Sequence, residues 1–111
     1  MSSTHKALHD ELHKLVSTHT VVLFMKGTPT FPRCGFSSKV AQILKQCGLK
    51  EYMAVDMLSR PDLKAELVKY ADWPTLPALY INGEFIGGCD ITTEMYQEGE
   101  LQPLLQNTGL L

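Results

Sequence analysis

The stretch Met25 to Ser37, MKGTPTFPRCGFS, decides how this chain reads. It leaves an apolar run, crosses a loop stiffened by Pro29 and Pro32, and sets Cys34 where a helix is expected to begin. Unpaired amides and the positive end of the dipole at a helix start favour thiolate over thiol. They lower a cysteine pKa well below its free value of about 8.5. Lys26 and Arg33 add positive charge along the same loop. Ser37 stands three residues after Cys34, where a dithiol redox motif carries its second sulfur. The thiol therefore closes no local disulfide, and an external thiol has to finish any exchange. A thiolate of this kind either attacks sulfur or binds metal.

Outward from that run, the 111 residues suggest one domain, 1–111, with chain enough for a real core. Ten basic against twelve acidic residues give a formal charge of -2, without the basic excess that nucleic-acid binding favours. A hydrophobic content of 44% with 20% charged residues is that of an ordinary soluble globule. No apolar run reaches the roughly 18 residues of a membrane span. Neither a nucleic acid nor a membrane is expected as a partner. The first residues carry Asp10 and Glu11 and no cationic segment followed by an apolar one, so a cytoplasmic, reducing setting is expected. Three cysteines at irregular spacing agree with that better than with a disulfide framework.

Ser3 or Thr4 is read as the cap of a first helix, with Leu8, Leu12, Leu15 and Val16 as its buried stripe. Thr20 to Met25 reads as a buried strand. A second helix is expected from about Gly35 to Cys47, with Val40, Ile43 and Leu44 inward and Gly48 as its stop. Tyr52 to Val55 follows as a strand. A third helix is expected from near Ser59, with Pro61 in its first turn and Leu63, Leu67, Val68 and Tyr70 on its apolar side. Pro77 to Ile81 and Glu84 to Ile86 flank Asn82 and Gly83, a strong hairpin signal. Asp90 then caps a fourth helix, and Leu101 to Leu105 form a last short turn. Strands joined through helices tend to be parallel and a hairpin is antiparallel, so this order implies an α/β chain with a small mixed sheet covered on both faces.

With this arrangement in hand, the stretches MKGTPTFPRCGFS, WPTLP and GGCD, in that order, resemble the monothiol glutaredoxins of the Cys-Gly-Phe-Ser type. The likeness spans roughly Val21 to Leu105. It implies a thioredoxin-like (glutaredoxin) fold with a four-stranded mixed sheet and helices on both faces. It also implies a glutathione site. In that site the Leu76 main chain, set by a cis bond to Pro77, pairs with the cysteinyl part of glutathione as an added strand would. Cys89 and Asp90, at a helix start after Gly87 and Gly88, receive the γ-glutamyl end. Lys26 reaches both the glutathione and the Cys34 sulfur. Lys64 is a departure: relatives often carry arginine there, and lysine lacks the planar fork that grips a carboxylate through two bonds.

Two functions compete for this pocket. In the one the resemblance implies most strongly, two subunits each supply Cys34 and one glutathione thiolate, and the four sulfurs hold a 2Fe-2S cluster that is handed on. Cys34 is then the metal ligand and the chain a homodimeric iron-sulfur carrier. Scaffold proteins are its donors, apo-proteins its acceptors, and a BolA-like protein is a further partner. In the other, Cys34 is the nucleophile of a thiol-disulfide oxidoreductase that removes glutathione from proteins. The loop Gly27 to Arg33, longer than in dithiol glutaredoxins, is expected to make that turnover weak or absent. Cys47 reads as a buried small hydrophobe, and Cys89 leaves open a disulfide with Cys34 under oxidation. His5, His9 and His13 recur every four residues but read as a solvated face, and Tyr70 and Trp73 as packing residues.

Overall fold

The computed structural model describes residues 2–111, with side chains from residue 4. Helix α1 (Ser2–Thr18) leads to strand β1 (Val21–Met25), helix α2 (Gly35–Gln46) and strand β2 (Met53–Asp56). A 3-10 turn over Met57–Ser59 then enters α3 (Pro61–Ala71). The hairpin of β3 (Ala78–Ile81) and β4 (Glu84–Gly87) follows, then α4 (Cys89–Gln97) and α5 (Leu101–Gln106). The four strands make one sheet in the order β2-β1-β3-β4. β1 runs parallel to β2, with Leu23 beside Ala54, and antiparallel to β3, with Leu23 beside Leu79. The mixed sheet expected from the element order is therefore present.

Strand side chains alternate between faces, and here both faces are apolar. Val21, Leu23, Met25, Leu79 and Ile81 pack on one side with Val40, Ile43 and Leu44 of α2 and Leu101 and Leu105 of α5. Val22, Phe24, Ala78 and Tyr80 pack on the other with Leu12 and Val16 of α1 and Leu63 and Leu67 of α3. All five residues of β1 are buried, which is why the strand reads as an unbroken apolar run instead of an alternating one. Asn82 and Gly83 take φ of 54° and 77°, the left-handed pair that a tight hairpin turn requires.

Several local readings shift. The backbone is already helical at Ser3 and Thr4, so neither is the cap; the Ser3 side chain lies outside the described residues. β2 is one residue later than Tyr52 to Val55, because it stays in register with β1 as far as Met25 beside Asp56. The third helix begins at Pro61, since Asp56 and Ser59 are spent on the 3-10 turn: the Asp56 carboxylate accepts from the Leu58 amide and the Ser59 hydroxyl donates to the Asp56 carbonyl. Val68 faces solvent. Asp90 is inside α4, whose N-cap is Gly88 in extended conformation. Among the described residues no helix is long and apolar enough to cross a membrane.

Candidate functional site

Cys34 is the N-cap of α2, with φ and ψ of -151° and 138°, and is partly exposed where the other two cysteines are buried. Its sulfur makes no strict capping hydrogen bond. The Ser37 amide facing it, then the Phe36 amide, the Lys26 charge and the Ser37 hydroxyl, still hold its pKa below the ordinary 9.0 against a smaller opposing effect of burial. The helix-start amides and Lys26, both expected to act on this thiol, are among the groups that do. Burial moves Cys47 in the opposite direction, up, so it is an inert apolar residue as expected.

The loop before Cys34 is closed on itself. The Arg33 amide donates to the Lys26 carbonyl at 2.9 Å, the Thr28 amide to the Phe31 carbonyl at 3.2 Å, and the Phe31 amide to the Thr28 hydroxyl at 3.0 Å. Gly27 turns at φ 89°, and a β-carbon there would sit 2.5 Å from the Phe31 carbonyl oxygen. Ser37, fully buried, is more than an absent second sulfur: its Oγ accepts the Lys26 amide at 3.0 Å. Sequence reading missed that bond because nothing in Cys-x-x-Ser spacing shows what the hydroxyl faces.

Beside Cys34 lies a cleft of about 390 Å³, the size of a small-molecule site. It brings together Cys34, Lys26, Lys64, Leu76, Cys89 and Asp90, all six residues singled out from the sequence. The Leu76–Pro77 bond is cis, and Pro77 lines the cleft too. Phe36, Trp73, Pro74 and Thr75 complete it, and neither Phe36 nor Trp73 was foreseen as lining. The indole NH of Trp73 is buried without a hydrogen-bond partner among the described residues. Gly87 and Gly88 have an internal reason to be glycine. A β-carbon on Gly87 would meet the Ile91 side chain at 2.7 Å, and one on Gly88 the Trp73 ring at 3.0 Å.

The histidines of α1 are exposed, as read, yet each touches α3. His5 Nδ1 lies 2.6 Å from the Oε1 of Glu66, a carboxylate 4% exposed. The His13 Nδ1 is 3.2 Å from the Tyr70 hydroxyl, and the His9 ring stands edge-on to Tyr70. Among the described residues no group of three or more His, Cys, Asp or Glu is arranged to hold a metal ion.

The glutaredoxin family model matches residues 21–86. Glutaredoxin 4 of Escherichia coli K12 is 48% identical over 100 residues, 90% of this chain and 86% of that protein. The solution structure of reduced poplar apo GrxS14 superposes with a TM-score of 0.79 at 50% identity, covering 95% of each chain. The crystal structure of a buckwheat glutaredoxin-glutathione complex superposes at 0.87 and 27% identity, covering 100% of this chain and 98% of that one. Its thioredoxin-like α/β sheet, its cis Leu76–Pro77 bond and its single-cysteine Cys-Gly-Phe-Ser run thus join a match over most of its length: the chain belongs to the glutaredoxin family, as a monothiol member.

Proposed function

We propose that the cleft binds glutathione and that two copies of the chain carry a 2Fe-2S cluster between them, passing it to acceptor proteins. The observation that carries this reading is the donor set. Among the described residues one chain offers one accessible, acidified sulfur, Cys34, and no group of three or more His, Cys, Asp or Glu arranged to hold a metal ion. A 2Fe-2S cluster takes four thiolates, so one chain cannot complete it. Two Cys34 thiolates and two cleft-bound glutathiones would. Lys26, Lys64 and Asp90 offer charges of both signs for a zwitterionic tripeptide, and the solved glutathione complex of a family member supports such an occupant. The cluster is cargo here. The chain's own residues supply the sulfur, the cleft for the exchangeable ligand, and a rim on which the second copy sits. Scaffold proteins would load it, and apo-proteins or a BolA-like protein would receive it in the cytosol.

A second reading rests on the acidified Cys34 itself. Its thiolate attacks the glutathionyl sulfur of a protein mixed disulfide, the protein leaves as thiolate, and a second glutathione releases oxidised glutathione and free Cys34. Ser37 supplies no sulfur to shorten that route. The closed Gly27 to Arg33 loop standing next to Cys34 is expected to slow the second attack.

Anaerobic reconstitution with iron, sulfide and glutathione separates the two. A brown dimer that needs both glutathione and Cys34, judged against Cys34→Ser by visible absorption and size exclusion, is the expected result. A colourless monomer that efficiently deglutathionylates a protein would assign the chain to oxidoreductase work instead.

A further inference from the structure

A second depression, larger than the cleft at about 660 Å³, lies between the Gly27 to Arg33 loop and the end of α2. Pro29 bounds it from the loop, Ala41 and Lys45 from α2, and Leu49, Lys50 and Tyr52 from the segment that leads into β2. It shares no lining residue with the cleft. Its sides are held by bonds of their own. The Thr28 to Phe31 turn described above fixes Pro29, and past α2 the Gly48 amide donates to the Lys45 carbonyl and the Leu49 amide to the Leu44 carbonyl, both at 3.0 Å. The Gln102 side chain donates to the Cys47 carbonyl at 3.3 Å and ties the same corner to α5. Ala41 and Leu49 belong to the core, so the groove is preformed and apolar at its base.

We propose that this groove docks a short acidic segment of a partner protein, its apolar side chains on Ala41, Leu49 and Tyr52 and its carboxylates on Lys45 and Lys50. The argument for that occupant is charge. The charged residues lining the groove are both lysines, in a chain whose formal charge is -2. Among the described residues neither is paired with a carboxylate, whereas Lys6 is held by Asp10 at 3.0 Å. Lys45 has a helical reason for its place, in the last turn of α2, where a cation meets the negative end of the dipole. Lys50 stands beyond the helix and has none. An extended segment that alternates apolar and acidic residues sets its apolar side on the base of the groove. The long lysine stems let both ammonium groups reach the acidic side. A protein held here leaves Cys34 and the cleft open, so the inference stands apart from the glutathione reading.

The test is a titration of the isotope-labelled full chain with a capped peptide of alternating glutamate and valine, followed by amide chemical shifts. Saturable shifts are expected at Ala41, Lys45, Leu49, Lys50 and Tyr52, with the amides of Lys26, Lys64 and Leu76 in the cleft unmoved. Lys45→Glu combined with Lys50→Glu changes two exposed side chains outside the core and should weaken the peptide about tenfold or more. A capped lysine and valine peptide should then bind that double variant better than it binds the unaltered chain. Absence of saturable shifts, shifts centred on the cleft, or an affinity that the double variant leaves unchanged would each overturn the docking site. Inorganic phosphate that moves the same amides as far would reduce the lysines to an adventitious ion site and overturn it as well. Shifts that grow with protein concentration and no peptide would assign the groove to a second copy of the chain instead.

Discussion

At the scale of single residues, Gly27 and Gly35 flank the same loop and answer to different constraints. Gly27 sits at φ 89°, and any β-carbon there would lie 2.5 Å from the Phe31 carbonyl and 2.8 Å from the Arg33 amide nitrogen. Both neighbours are backbone, so neither can swing away. Gly35 begins α2 with nothing within 4 Å of where its β-carbon would be. Gly27→Ala is therefore expected to destabilise by about 2 kcal/mol or more, and Gly35→Ala to be neutral or stabilising by up to about 1 kcal/mol. Thermal unfolding of the two variants checks this. For a chain of this size the first should lower Tm by roughly 8 °C or more, and equal effects would show that the loop relaxes freely. Six of the residues that line the cleft were legible in the sequence, five because they sit in the three motifs and Lys64 through the resemblance, yet their anchors were not. Ser37 read as a missing sulfur and Asp56 fell just past the expected strand Tyr52 to Val55 with no role assigned, since a side chain's acceptor role depends on amides 11 and 29 residues away.

At the scale of elements, α1 and α3 are bound by more than their apolar stripes. Arg60 donates to both carboxylate oxygens of Glu11, at 2.7 and 2.8 Å, and its Nε to Asp62 at 3.3 Å. Arg60's hydrogen bonds pull Glu11 below its ordinary 4.5 and raise its own pKa further. Both side chains are more than a third exposed, so solvent screens the pair and it contributes about 1 kcal/mol at most. The sign is that of a depressed carboxylate. Its stability is present above the unfolded value near 4.5 and is lost as pH falls through the lower folded value. Arg60→Ala should thus unfold earlier than the unaltered chain in denaturant at pH 7. The gap should close on titrating below pH 4.5, and a gap that persists in acid would mean that Arg60 acts by packing. This pairing also explains what the sequence reading of α1 left out. Periodicity finds the Leu12 and Val16 side of a helix, but it is blind to which polar edge meets another helix. Glu11 and His5 fall on that edge, and the buried Glu66 carboxylate with His5 as its partner looks from sequence like any surface acid. The strands and helices themselves were readable because β1 is apolar throughout and the Asn82–Gly83 turn has a local cause. The boundaries that moved, at Pro61 and Met53, were set by a 3-10 turn and by register with β1, neither of which is local.

At the scale of the whole molecule, the fold closes without help from a second copy. The radius of gyration of 13.4 Å matches the roughly 13 Å expected for a compact chain of this length. On the reading proposed above, a second copy would be needed by the cargo and not by the core, and the surface has exposed apolar side chains to offer it. Phe31 is 72% and Phe36 62% exposed, on either side of Cys34 in sequence. Leu58 is 54% exposed on the turn that Asp56 ties to the same loop. Large apolar side chains left exposed on segments that border Cys34 in sequence or are tied to its loop mark a contact surface more often than an accident of composition. Phe31 does not line the cleft, so it can be changed without touching the glutathione site proposed above. Phe31→Ser should leave the unfolding midpoint of the apo chain unaltered within about 0.5 kcal/mol, because an exposed ring contributes little to its own fold. The cluster-loaded dimer should meanwhile come apart at roughly tenfold higher protein concentration, the loss of one modest aromatic anchor. Size exclusion of the loaded protein over a dilution series measures the second effect and thermal unfolding the first. A dimer as tight as before would move the contact between copies away from this rim, while a destabilised monomer would show that Phe31 belongs to the loop's own packing.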